Sequence, residues 1–189
     1  MSRRSTLAAA IVVILTWGTA SAAQRTSSDV PRGDKTEAQL IRSVQKLVLE
    51  YPHYTVFDSV KMRIETGTVT LLGKVTMPYK REELEKRVAT IPGVTKVDNQ
   101  ITVLPASKSD DELRVGIANA IYGHSAFDRY AGLPNPPVHV IVERGRVTLE
   151  GYVDTLADRL AALSIARSFG SFQVTDELVV PGQKSKSEK

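Results

Sequence analysis

Three histidines, His53, His124 and His139, are the residues best suited to bind a metal or shuttle a proton near neutral pH. They are scattered, and no His-x-x-x-His pair places two imidazoles on one helical face, so metal-ligand spacing is absent. The chain has no cysteine, which removes thiolate chemistry, disulfides and cysteine metal sites. No Gly-x-Ser-x-Gly elbow, phosphate loop of the Gly-x-x-x-x-Gly-Lys type or Gly-x-Gly-x-x-Gly fingerprint occurs. Asp110, Asp111 and Glu112 cluster, but at a predicted helix start, where negative charge complements the helix dipole. The residues therefore point to no enzyme, no cofactor, no metal and no small-molecule substrate.

Binding chemistry is the better match to this chain. Leu156, Leu160 and Leu163 recur at helical spacing, more than a quarter-turn from a second apolar set at Ala162, Ala166 and Phe169. A helix apolar on two sides must bury both or meet something. Two readings stand. The stripe packs against the rest of the chain, or it meets a membrane or partner protein, with Arg159 and Arg167 beside it to touch lipid phosphates. Phe127, Tyr130 and Leu133, in a long Pro- and Gly-containing segment, form a second candidate surface whose alternative is local packing over a sheet. The run from Lys80 to Arg87 reads as a solvated helix face.

The elements that must position these side chains occur twice. Val60–Ile64, Glu65-Thr66-Gly67 and Val69–Val75 are matched by Val138–Val142, Glu143-Arg144-Gly145 and Val147–Val153. Gly67 aligns with Gly145 and Gly73 with Gly151 at an offset of 78. Gly67 and Gly145 sit where a tight hairpin needs positive φ. Gly73 and Gly151 fall within strands, where a missing side chain permits close backbone approach or a bulge. An apolar 3–4 stripe over Lys35–Tyr51, with Thr36 as N-cap, precedes the first hairpin. A charged helix from Pro78 to Ile91 and a strand from Val97 to Val103 follow it. In the second copy the order is a helix capped by Ser109 or Asp110, the long segment His124–Pro137, the hairpin, a helix over about Thr155–Phe169, and a strand through Val180. Each unit reads helix, strand, strand, helix, strand.

The phrases Val69-Thr70-Leu71-Leu72-Gly73-Lys74-Val75 and Val147-Thr148-Leu149-Glu150-Gly151-Tyr152-Val153, with Ile91-Pro92-Gly93-Val94 leading to Val97 and Asn99, resemble the BON domain family in tandem. The likeness spans about residues 36–181. Gly170-Ser171-Phe172 departs from the Pro-Gly-Val phrase, and the long first loop of the second copy is a further departure. The resemblance implies an α+β fold of two small αββαβ sandwiches. It further implies an exported bacterial protein associated with phospholipid or envelope binding and with osmotic stress, and it transfers no catalytic residue.

Residues 1–23 are expected to be a signal peptide. Arg3 and Arg4 precede an apolar core from Leu7, and small residues stand at Ala20–Ala23. Export places the processed chain in the periplasm. Residues 24–34 are expected to be a flexible leader, 35–104 and 110–181 the two domains, 105–109 a linker, and 182–189 a disordered tail. The formal charge of +4 includes Arg3 and Arg4, leaving a mild surplus that carries no nucleic-acid signature. The expected partner is an anionic phospholipid surface or an envelope protein. The alternative is a structural module that docks on a larger envelope or secretion assembly without touching lipid.

Overall fold

A computed structural model describes residues 36–182; the expected signal peptide, the whole leader and all of the tail but Gly182 lie outside the described residues. The first unit runs α1 (Glu37–Leu49), β1 (Ser59–Glu65), β2 (Thr68–Val75), α2 (Pro78–Ala89) and β3 (Lys96–Val103). The second runs α3 (Lys108–Tyr122), a 3-10 turn (Ser125–Phe127), α4 (Asp128–Ala131), β4 (Val138–Glu143), β5 (Arg146–Tyr152), α5 (Leu156–Ser168) and β6 (Gln173–Val179). Each unit holds a three-stranded sheet, ordered β1-β2-β3 or β4-β5-β6. The first pair in each sheet is antiparallel and the second, joined through a helix, is parallel. The fold is α+β, with the αββαβ order repeated.

The local chemistry explains the repetition. Thr66 (φ 48) and Gly67 (φ 78), like Arg144 (φ 53) and Gly145 (φ 73), are two-residue turns with both central residues at positive φ. That conformation matches the twist of the strands it joins. Alternation then sends Val69, Leu71 and Val75, or Val147, Leu149 and Val153, toward the helices, and all are fully buried. Leu40, Val44 and Val48 of α1 and Leu84 and Val88 of α2 complete the first core. Ile117 and Ile121 of α3 with Ala162, Leu163 and Ala166 of α5 complete the second.

Several expectations change. α3 begins at Lys108, and its cap is Ser107, whose hydroxyl accepts from Asp110 N at 3.3 Å. Ser109 and Asp110 are not the cap, because Asp110 is engaged elsewhere: its buried carboxylate accepts from Arg144 N and Gly145 N, both at 2.8 Å, and so clamps the second hairpin. Lys80 does not belong to a solvated face. It is 5% exposed, at the centre of a buried ion pair with Asp58. Phe169, expected inward, is 39% exposed and lies on Gly116 of α3.

The two units meet on the sheet faces turned away from their helices. By alternation His139, Ile141 and Glu143 point off that side of β4, yet Ile141 is only 2% exposed. The segment before β1 runs along this strand. Val140 N donates to Val56 O at 2.7 Å, extending the edge of β4, and the Tyr54 and His139 rings lie 5.4 Å apart. Ser59 Oγ donates to Glu150, Lys61 Nζ lies 3.0 Å from Glu150 and 2.8 Å from Glu177, and Lys74 Nζ donates to Glu143. The seam is therefore largely polar, and its exposed ion pairs are worth little singly.

His139 gives this seam a pH dependence. Its Nδ1 is buried without a hydrogen-bond partner. Burial holds the imidazole below the usual histidine range, against the opposing pull of the Asp58 backbone and the carboxylates of Glu150 and Asp58. The unfolded chain then takes up a proton before the folded chain does, so stability falls as pH drops below about 6.5. Urea midpoints at pH 7.5 and pH 5.5 should differ, and His139→Gln should flatten that difference. Glu143, held below the carboxylate range by its hydrogen bond to Lys74, adds a loss only in more acid solution.

Candidate functional site

The helix that carries the candidate stripe is set by its caps. Thr155 accepts from Asp158 N at 3.1 Å, and Asp158 returns the bond to Thr155 N at 3.1 Å, a reciprocal N-terminal box. Ala162, Leu163 and Ala166 turn into the second core. Leu163 is thus a core residue, 4% exposed, and is removed from the candidate surface. Leu156 and Leu160 remain outside at 46% and 57% exposure. The reading in which this stripe seals the two units is overturned for both, since the seam lies on the sheets.

The accompanying arginines differ from each other. Arg159 Nε donates to Asp176 at 2.8 Å, tying α5 to β6, and its side chain is 16% exposed. It is a bridging residue, not a free phosphate ligand. Arg167, in the last turn of α5, is exposed. Phe127 and Tyr130 are also removed from the surface. Phe127 is fully buried in the second core, and Tyr130 is 5% exposed, its hydroxyl accepting from Asp154 N at 2.9 Å and from Arg129 at 3.0 Å. The long segment folds into the short turns that deliver these rings, which is why it packs over the sheet instead of projecting. Leu133 alone of that trio is exposed, at 43%.

The histidines form no site together. His53 lies edge-on between Tyr51 and Tyr79, with ring centroids 5.6 Å from each. Glu50 stands three residues before it, but pairs with Lys46 at 3.7 Å. His124 Nδ1 accepts from Ala126 N at 3.2 Å, and His139 is in the seam. Among the described residues no group of three His, Asp or Glu side chains could hold a metal ion. No helix among them is long and apolar enough to cross a membrane.

One feature escaped the sequence reading. Phe172 N donates to Gly145 O at 3.0 Å, as Thr95 N donates to Gly67 O at 2.9 Å. Phe172 therefore occupies the place of Thr95, although its phrase reads as a replacement of Pro92-Gly93-Val94. Thr95 lies over Gly67, and Phe172, 89% exposed as a residue, lies over Gly145. The signal lay in the one-residue change of offset between α5 and β6, which shifts the alignment of this turn.

The BON domain family model matches the chain twice, over residues 36–105 and 117–182. No match was found among the curated proteins. Among solved structures the chain is similar to CdsD, a structural protein of the type III secretion system of Chlamydia trachomatis, at 16% identity and a TM-score of 0.29, covering 75% of this chain and 91% of that one. It is also similar to the C-terminal domain of CdsD, at 14% identity and a TM-score of 0.28, covering 77% of this chain and 99% of that one.

Proposed function

This chain belongs to the BON domain family, and on that premise we propose that it is a non-enzymatic, exported envelope protein that associates with phospholipid membrane. The observation that carries the reading is the exposure of Leu156 and Leu160 on one side of α5, at 46% and 57%. The first unit has Pro78 and Glu82 at the same places. Two large apolar side chains on a capped, well-packed helix have no folding role there; removing them from water needs an apolar surface outside the chain. Arg167 supplies positive charge near the other end of the helix. A periplasmic location and a role in envelope integrity under osmotic stress follow from this reading.

The test is co-sedimentation of the processed chain with vesicles. The wild type should pellet with phosphatidylglycerol-containing vesicles, less so at high salt. Leu160→Asp should weaken pelleting roughly tenfold or more, since one buried leucine is worth about that, with an unchanged melting temperature. A wild type that ignores vesicles, with α5 instead protected on mixing with an envelope protein, would favour docking without lipid. The pairing of Arg159 with Asp176, which removes one phosphate ligand, is the observation on that side.

A further inference from the structure

The hairpin ends of the two units are built alike and finished differently. In the first, the turn and its cover present Thr66, Gly67, Thr68 and Thr95, and Ala89 ends the neighbouring helix. Every one of these is neutral, and Thr66, Gly67 and Thr95, with Glu37, Leu40, Ile64 and Gly93, line an open groove of about 300 Å³. In the second unit the corresponding residues are Arg144, Gly145, Arg146, Phe172 and Arg167. Three cations and a phenyl ring replace three small neutral side chains and a threonine.

These side chains are not consumed by the fold. Arg144, Arg146 and Arg167 are exposed, and none forms an ion pair among the described residues. Phe172 is the most exposed large apolar side chain in the described chain, at 89%. Its ring rests on Gly145, between the backbones of Arg144 and Arg146, and Arg146 is the register partner of Gln173. The nearby acids are already engaged: Asp110 by the hairpin amides, Asp111 by Arg114, and Glu143 by Lys74. Phe169 and Val115, 39% and 47% exposed and flanking Gly116, add apolar surface on α3 and α5.

We infer that the Phe172 turn is a membrane-insertion tip, in which the phenyl ring enters the interfacial layer of an anionic phospholipid surface while Arg144, Arg146 and Arg167 contact headgroup phosphates. An aromatic ring favours the boundary between headgroups and acyl chains, and arginine forks match phosphate oxygens. The inference rests on the phospholipid reading above and adds the Phe172 turn as a second contact beside the Leu156–Leu160 face. Charge complementarity selects the occupant: the exposed cations Arg144, Arg146 and Arg167 attract anionic headgroups, repel a basic partner and would lose hydration against a purely apolar one.

The test uses the full tandem chain recovered after export, in which loss of Trp17 with the signal peptide leaves no tryptophan. Phe172→Trp should show blue-shifted emission with phosphatidylglycerol vesicles and none with pure phosphatidylcholine. Phe172→Thr, which restores the residue of the first unit, should lower vesicle affinity roughly tenfold at an unchanged melting temperature. Each of Arg144→Ala, Arg146→Ala and Arg167→Ala should lower it roughly fivefold. Vesicle binding that survives Phe172→Thr but is lost in Leu160→Asp overturns the tip and leaves the phospholipid reading intact. A wild type that ignores vesicles overturns both. Phe172→Trp emission that stays unshifted while phosphatidylglycerol vesicles bind also overturns the tip.

Discussion

Asp58→Ala should destabilise the first unit by about 3–5 kcal/mol, the cost of breaking a buried ion pair by removing one partner. Asp58 is fully buried and Lys80 is 5% exposed. The carboxylate accepts from Thr76 N at 2.8 Å and Thr76 Oγ1 at 3.0 Å through one oxygen. The other oxygen accepts from Thr55 N at 2.9 Å, Thr55 Oγ1 at 2.8 Å and Lys80 Nζ at 2.7 Å. Truncation leaves an ammonium with only Thr76 Oγ1 to receive it, in the first turn of α2, where the helix dipole disfavours positive charge. It also frees the segment that reaches β4 through Val56 O. Urea unfolding by circular dichroism, with hydrogen exchange in β1–β3 as the local reading, measures the loss. Asp58→Ala combined with Lys80→Met should recover part of it, because the uncompensated charge is gone. A single variant within 1 kcal/mol of wild type would show that solvent reaches Lys80 freely.

The second unit keeps this arrangement with the charges exchanged. Asp158 stands where Lys80 does in the helix, and its partner is Arg129 from α4. The acid is then at the helix N-terminus, where the dipole favours it. Arg129 is 44% exposed and shared with Asp154 at 2.9 Å, so its loss should matter much less than that of Asp58. The same topological join, between the segment before a hairpin and the helix after it, is thus made by opposite charges in the two copies.

That exchange also marks what the sequence could and could not reveal. Alternation and glycine placement act between near neighbours in the chain, so the hairpins at Gly67 and Gly145, the core faces of the strands and the repeated order were all legible. The join between Asp58 and Lys80 spans many residues and swaps sign between copies, so no shared pattern advertised it. Helix faces were legible only in part. Ala162 and Ala166 face inward as their spacing predicts, but Leu163, the member of the outer stripe nearest Ala166 on the wheel, turns into the core, while Phe169 lies past the helix end and is exposed. Phe127 and Tyr130 looked like loop aromatics because the short turns over Ser125–Ala131 have too few residues to show a period. Phe172 was hidden by a deletion that changes register without leaving a motif.

Gly151→Ala should be among the most damaging single substitutions in the second unit, costing about 3 kcal/mol or more. Two penalties combine. Gly151 has φ +108, a conformation L residues adopt only under strain of about 1–3 kcal/mol. An added Cβ would lie 1.9 Å from Pro137 O, a backbone atom that cannot swing aside. The same carbonyl accepts from Tyr152 N at 3.2 Å, so shifting it breaks the start of the β4–β5 pairing and pulls on buried Val138. Gly73→Ala repeats the effect in the first unit, where the Cβ would meet Ser59 O at 2.1 Å with φ +116. Gly145→Ala supplies the control: φ is +73, and the obstructing atoms belong to the exposed Phe172 ring, which can move. Its cost should be about 1 kcal/mol. Urea midpoints ordered wild type, Gly145→Ala, Gly151→Ala, with a wide gap before the last, are the expected result. Equal losses at the two glycines would mean that positive φ alone sets the cost and that the close approach of Pro137 to β5 relaxes without penalty.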